Sequence, residues 1–244
     1  MQTINELLGV PKLKIIQDTD HLRFTIDSIM LGGFVSIRPG TKKIVDLGTG
    51  NGPIALYLSL KTDAHIFGVE LQKTSAEFAK QSVTLNKLDE QITIINNNLI
   101  GINKDLGNNN EIVVCNPPFF RVAPGSHLNE KDEKTVARHE VSSTLHDFVY
   151  EASKLLKYGG YFYMIHRPDR IQDIIIELKK CGFVLTKLRF IYPNIKKDSN
   201  HVLIEAKLST ANANTKVLEP LYVRNLDGSL TSEARKIYNG EFNS

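Results

Sequence analysis

Ile44-Val45-Asp46-Leu47-Gly48-Thr49-Gly50-Asn51-Gly52-Pro53 is the stretch from which the fold is read. A short, mostly apolar run stopped by glycines reads as a buried strand. Proline suits the first turn of a helix, where its missing N–H costs nothing, so residues 53–60 read as a helix. Strand, glycine turn and helix in succession aim backbone N–H groups and a helix N-terminus at one spot. The glycines let the chain turn sharply and let a bulky ligand approach the backbone.

The same alternation continues outward from this stretch. Residues 65–69, 92–95 and 111–115 read as further strands, and 72–88 as a helix with Ala76, Ala79 and Val83 on one face. Leu145, Phe148, Val149, Ala152, Leu155 and Leu156 recur with helical spacing, and Gly159-Gly160 are expected to end that helix. Residues 161–165 form strand five, and Ile171, Ile174, Ile175 and Leu178 mark the next helix. Residues 183–192 and 201–208 leave no room for a helix between them, so they are expected to form an antiparallel hairpin at the sheet's end. Before the first strand, residues 5–8 read as a short helix, 14–17 as a short strand and 25–34 as a helix capped by Thr25 or Asp27. The Asn-rich stretch 103–110 reads as a solvated connection, and the charged residues 120–140 as a long loop, which in a compact domain is a functional signal. The pattern predicts an α/β fold: a doubly wound, mostly parallel sheet with helices on both faces and ligands at the strand carboxyl ends. Residues 1–40 are expected to be a lead-in capping the ligand site, 41–208 the main domain and 209–244 a short extension.

The bulk numbers fit such a domain. The chain has 244 residues, 41% hydrophobic and 23% charged, with a net charge of +3 from 30 basic and 27 acidic side chains. That excess does not by itself identify a nucleic-acid partner, which needs a local basic face. No run of about 18 apolar residues is present to span a bilayer. The residues after Met1 lack the basic and apolar regions of a secretory signal, so a cytoplasmic location is expected. Cys115 and Cys181 have no metal-ligand spacing, and both read as small apolar residues; no metal is expected.

The spacing G-x-G-x-G, with Asp46 two residues ahead of Gly48, argues against a nicotinamide cofactor. A carboxylate there repels a pyrophosphate but suits the sulfonium and ammonium groups of S-adenosylmethionine. Glu70 closes the second strand where an acid accepts hydrogen bonds from ribose hydroxyls. The candidate cofactor residues are Asp46, Gly48, Thr49, Gly50, Asn51, Gly52, Glu70, Leu71, Asn98, Leu99 and Asn116, together with Thr25 and Asp27. Asn98 is expected to read the adenine amino group of the cofactor while Leu99 packs on its ring.

Asn116-Pro117-Pro118-Phe119 directly follows the fourth strand of this alternation and so borders the same crevice. An exocyclic amine on an aromatic ring is a poor nucleophile because its lone pair is delocalised into the ring. Two acceptors aimed at its hydrogens pull the nitrogen toward sp3 geometry and expose that lone pair. The Asn116 side-chain oxygen and the Pro117 carbonyl are suited to supply them, with Pro118 fixing the loop and Phe119 stacking the base. This is catalysis by positioning and electrostatics. The same four residues also suit N2 of guanine or a glutamine side-chain amide, and a non-catalytic RNA-binding subunit of the same fold stands as the alternative outside enzymes.

Residues 46–52 resemble methyltransferase motif I, and 116–119 resemble the [DNS]-P-P-[YF] motif of amino-group methyltransferases. Residues 24–32, Arg138-His139-Glu140, 166–170 and Leu221-Tyr222-Val223 with Asp227-Gly228 are similar to the bacterial tRNA1(Val) (adenine-37-N6)-methyltransferase family. The similarity extends over nearly the whole chain, although Phe119 stands where many members carry tyrosine and Asn98 where an acid is common. The resemblance implies a seven-stranded sheet, S-adenosylmethionine as methyl donor and adenine 37 of a tRNA, beside the anticodon, as acceptor. Arg23, Arg121, Lys131, Lys134, Arg138, His139 and Arg167 are then the candidate RNA contacts, joined by Arg170 and by Lys196-Lys197 in the late turn. A base in an anticodon loop is cheaper to unstack into a pocket than one in a duplex.

Overall fold

The computed structural model describes residues 2–7, 10–18, 26–118, 143–211 and 214–241. A hairpin of β1 (Gln2–Leu7) and β2 (Val10–Asp18) comes first, then helix α1 (Ile26–Phe34). Next come β3 (Lys43–Leu47), α2 (Pro53–Leu58), β4 (His65–Glu70), α3 (Lys73–Leu85) and β5 (Ile92–Asn96). They are followed by α4 (Asn103–Leu106), β6 (Asn110–Cys115), α5 (Leu145–Leu155) and β7 (Leu156–His166). Helix α6 (Ile171–Lys180), β8 (Phe183–Tyr192), β9 (His201–Leu208), β10 (Lys216–Val217), β11 (Leu221–Tyr222) and α7 (Ser232–Tyr238) complete the series.

The main sheet runs β10-β8-β9-β7-β6-β3-β4-β5, with β11 also on β8. Its seven long strands are those expected from the sequence, and β9 lies antiparallel between β7 and β8. The two short strands of the C-terminal extension add to that count, both running parallel to β8. The chain order reverses beside β3: β4 and β5 lie on one side, β6 and β7 on the other. A topological switch point opens there, above Leu47 and its neighbour Cys115.

Alternation along each strand feeds two cores. Ile44, Ile112, Val114, Tyr163 and Ile165 face α1, α2 and α3, which contribute Ile29, Leu31, Leu56, Ala76 and Ala79. Val45, Leu47, Val113, Cys115, Phe162 and Met164 face Phe148 and Val149 of α5 and Ile174 of α6. A reciprocal cap starts α5: the Thr144 hydroxyl accepts from Asp147 N–H, and the Asp147 carboxylate accepts from Thr144 N–H. No helix among the described residues is long and apolar enough to cross a membrane.

Three local expectations are corrected. Residues 5–7 belong to β1 rather than to a helix, because pairing with β2 outweighs the weak propensity of so short a segment. The stretch 103–110 holds a helical turn and the first residue of β6. Asn110 there is fully buried, its Nδ2 donating to the Leu155 carbonyl at 2.7 Å. Helix α5 ends at Leu155, and Gly159-Gly160 fall inside β7, where the ladder with β6 shifts register.

Candidate active site

The glycine turn is built by strand pairing. Asp46 lies beside Gly68 of β4, and a side chain at 68 would sit 2.8 Å from Ile94 and 2.9 Å from Thr49. Gly48, Gly50 and Gly52 have φ of +70°, +59° and +90°, a left-handed region that costs other residues energy. The turn satisfies its own donors. Gly48 and Thr49 N–H both donate to the Val69 carbonyl, at 2.9 and 3.0 Å, and Gly52 N–H donates to the Thr49 carbonyl at 2.9 Å. Gly50 N–H donates to Glu70 Oε2 at 2.9 Å. The expected fan of N–H groups aimed at a ligand is therefore absent from these four positions. What the turn offers instead is negative charge and close approach, which suits a sulfonium and not a phosphate.

Asp46 supplies that charge. It is 0% exposed; its Oδ2 accepts from the Thr49 hydroxyl at 2.6 Å, and its Oδ1 has no partner among the described residues. Burial pushes its pKa up to about 7; the Thr49 hydrogen bond opposes this and the nearby Glu70 charge adds to it. Glu70 spans the turn, its Oε1 accepting from Gln72 N–H at 2.8 Å. Burial raises its pKa as well. A carboxylate has about four lone-pair sites, so Glu70 keeps room for a hydroxyl donor beside the backbone N–H groups of Gln72, Gly50 and Leu71. A buried acid with one unbonded oxygen beside a second buried, braced acid fits a cationic, ribose-bearing cofactor.

The remaining cofactor candidates divide. Asn51 is 9% exposed, and its Nδ2 donates to the Ile16 carbonyl at 3.0 Å, fastening β2 to the turn. Asn98 Oδ1 accepts from Ile100 N–H at 2.9 Å, and Leu99 is buried in the core against α5. Leu71 and Ile100 are the exposed apolar side chains beside them in sequence. Asp27 Oδ2 lies 3.5 Å from His201 Nε2 at the head of β9. Three strand positions separate β9 from β3, so that contact belongs to the acceptor side of the crevice.

On the acceptor side, Asn116 follows Cys115, the partner of Leu47, and so stands one strand from Gly48. It is half-buried, Pro117 is buried and Pro118 exposed. The Asn116 Nδ2 donates to Ser28 Oγ of α1 at 3.2 Å. His166 at the end of β7 is 2% exposed, and its Nδ1 accepts from Arg167 N–H at 2.8 Å. Burial first, then the charges of Arg170 and Arg167, bring the His166 pKa down to about 4. Ser28, His166 and His201 carry no spacing signal of their own. Ser28 and His166 stand in segments that carry the family resemblance and His201 does not, and only the fold brings Ser28 and Asn116 together across 88 residues.

Of the RNA candidates, Arg167 lies at the carboxyl edge, its Nε 3.3 Å from Asp169 Oδ1 and both side chains open to solvent. Arg170 is instead occupied by Asp173 at 2.7 Å and largely buried. Lys196 and Lys197 are exposed in the turn between β8 and β9. Thr25, Phe119, Arg23, Arg121, Lys131, Lys134, Arg138 and His139 lie outside the described residues. Cys115 is buried and Cys181 half-buried, and burial raises both thiols, so neither is a ready nucleophile.

Known proteins resemble this chain in sequence and in fold. A tRNA1(Val) (adenine(37)-N6)-methyltransferase of Porphyromonas gingivalis is 26% identical over 208 residues, 82% of this chain and 80% of that one. The same-named protein of Cytophaga hutchinsonii is 26% identical over 199 residues, 82% of each chain. Among solved structures, a predicted O-methyltransferase of Agrobacterium tumefaciens superposes with a TM-score of 0.69 at 21% identity. It covers 88% of this chain and 96% of its own, a likeness of fold. The family model described as "Methyltransferase small domain" matches residues 30–179, from inside α1 to the end of α6. The match takes in the glycine turn, Glu70 and Asn116, and the chain belongs to this methyltransferase small domain family, as an S-adenosylmethionine-dependent enzyme of Rossmann-like fold.

Proposed function

We propose that the protein methylates N6 of an adenine in tRNA, with adenine 37 beside the anticodon of tRNA1(Val) as the site. The observation that carries this reading is Asn116, one strand from the glycine turn, with its amide nitrogen engaged by Ser28. That contact leaves the Asn116 oxygen as the acceptor for one amine hydrogen, and the Pro117 carbonyl serves as the second. Phe119 stacks the base. Asp46, Glu70 and the glycine turn hold the cofactor, with Thr49 and Asn51 fixing the shape of the turn. Leu71, Asn98 and Leu99 form the adenine end of that site, and the lead-in of residues 1–40 caps it.

S-adenosylmethionine supplies an electrophilic methyl carbon on a sulfonium. Asn116 and Pro117 would hold the two amine hydrogens of the acceptor, so that its lone pair, freed from conjugation, would face the methyl group held beside Asp46, Glu70 and the glycine turn. The methylated nitrogen would be cationic and would lose a proton to solvent, so no strong base is required. Arg167, Lys196 and Lys197 engage phosphates at the rim, and Arg23, Arg121, Lys131, Lys134, Arg138 and His139 extend that contact. The adenine specificity follows the names of the relatives, and the cytoplasm, where tRNA is modified, is the site of action.

Labelled methyl donor incubated with bulk tRNA, ribosomal RNA and protein decides among acceptors. N6-methyladenosine from one tRNA is expected, whereas N2-methylguanosine or labelled protein would reject adenine. In the same assay Asn116→Ala should lower transfer by at least about a hundredfold while cofactor affinity, read by calorimetry, stays within about threefold.

A further inference from the structure

We propose that Ser28 is a positioning residue that decides which end of the Asn116 amide faces the methyl acceptor. The inference rests on the proposed role of Asn116 and deepens it. An amide has an accepting oxygen and a donating NH2 of nearly the same size. An exocyclic amine presents hydrogens, so an amide turned the wrong way sets donor against donor and offers no acceptor. The prolines of residues 117–118 fix the backbone but not this choice, because the terminal torsion of asparagine is broad and roughly two-fold. Something beyond the loop has to break the tie.

Ser28 is placed to do so. Its Oγ accepts from Asn116 Nδ2 at 3.2 Å, and in this arrangement Oδ1 is the end left available. The serine is 4% exposed, and its hydroxyl is held by a helix with little freedom. Ile29, Met30 and Leu31 on α1 are 0%, 1% and 0% exposed. The neighbouring Asp27 meets His201 at 3.5 Å. At the other end of α1 the Lys61 ammonium donates to the carbonyls of Gly32, Gly33 and Val35, at 3.0, 3.0 and 2.5 Å. Cations at a helix C-terminus are favourable. α1 is therefore pinned at both ends, and its first turn carries the Ser28 hydroxyl to the edge of the catalytic loop. Ser28 does not need to touch the base.

Two substitutions separate orientation from packing. Ser28→Ala removes the acceptor and some volume, whereas Ser28→Cys restores the volume with only a weak acceptor. If the hydroxyl orients Asn116, both variants lose about ten- to a hundredfold in kcat for tRNA methylation. KM for tRNA, cofactor affinity by calorimetry and Tm should stay near those of the parent in both. Full kcat in Ser28→Cys, or a kcat within twofold of parent in Ser28→Ala, overturns the proposal. So does a kcat loss matched by weaker cofactor binding and a lower Tm. Asn116→Ala run alongside distinguishes the two levels. Undiminished transfer there sinks the role of Asn116 itself, whereas a dead Asn116→Ala beside an active Ser28→Ala sinks only the role given to the serine.

Discussion

The buried acid at the foot of the glycine turn ties cofactor affinity to pH. Asp46 Oδ1 is buried without a partner among the described residues, and burial lifts the side chain's pKa to about 7. A cation in the crevice favours the ionised carboxylate. Above pH 7 the acid has already lost its proton, and binding a cation carries no proton penalty. Below pH 7 the protein has to release a proton to bind, so each unit costs about tenfold in affinity, roughly 1.4 kcal/mol. Titration calorimetry of S-adenosylmethionine between pH 5.5 and 7 should show affinity rising about tenfold per unit at the acid end and levelling off toward pH 7, with close to one proton released at the acid end. Asp46→Asn should flatten the slope and weaken binding at pH 7. A wild-type affinity independent of pH over that window would mean that Asp46 stays neutral when the cofactor binds.

At the scale of elements, the hairpin β1–β2 is held to α3 by side chains acting as backbone partners. Ser82 Oγ accepts from Ile16 N–H at 2.9 Å, and Asn86 bridges Lys14, accepting from its N–H at 2.9 Å and donating to its carbonyl at 2.6 Å. Ser82 is fully buried, so Ser82→Ala leaves the Ile16 N–H without its partner, at a cost of about 1–3 kcal/mol. Hydrogen exchange should then speed up along residues 13–17 while β3 and β4 stay protected; equal protection throughout would mean that these bonds do not hold the hairpin. The same element shows where sequence reading stops. The strands of the main sheet and the glycine turn were legible because strand and turn signals are written within a few consecutive residues. The hairpin was half missed, because residues 5–7 become a strand by pairing with β2 and not by a propensity of their own. Asn51, Asn86 and Asn110 look alike in sequence, yet each serves a backbone carbonyl at least 35 residues away. Composition counts such residues as solvated polar chain. Asp46 and Asn116 could be proposed from sequence because the chemistry proposed for them depends on neighbours in the chain, whereas that proposed for Ser28 depends on a neighbour in space.

Over the whole molecule, the carboxyl edge of the sheet gathers the glycine turn, Asn116, His166 and the β8–β9 turn along one rim. The net charge of +3 is small, so RNA affinity has to come from how the charge is distributed. Beyond β7, the described rim carries the exposed Arg167 and the lysine pair Lys196-Lys197, and the extension adds Arg224, which follows β11 beside that turn. A tRNA whose target loop enters between β3 and β6 would lay its flanking backbone along these strands. Each phosphate contact made by such a side chain releases counterions and steepens the salt dependence of binding. Reversing charge with Lys196→Glu and Lys197→Glu should therefore weaken tRNA binding at low salt by at least about tenfold. It should also flatten the slope of log K against log salt by about 1.4, the share of two contacts to single-stranded backbone. Cofactor affinity should not move, since the turn is several strands from Asp46. Filter binding from 50 to 200 mM salt, a range in which such contacts are resolved, reads both quantities. A parallel line at unchanged slope would put the RNA elsewhere on the surface and leave the lysine pair as solvated charge.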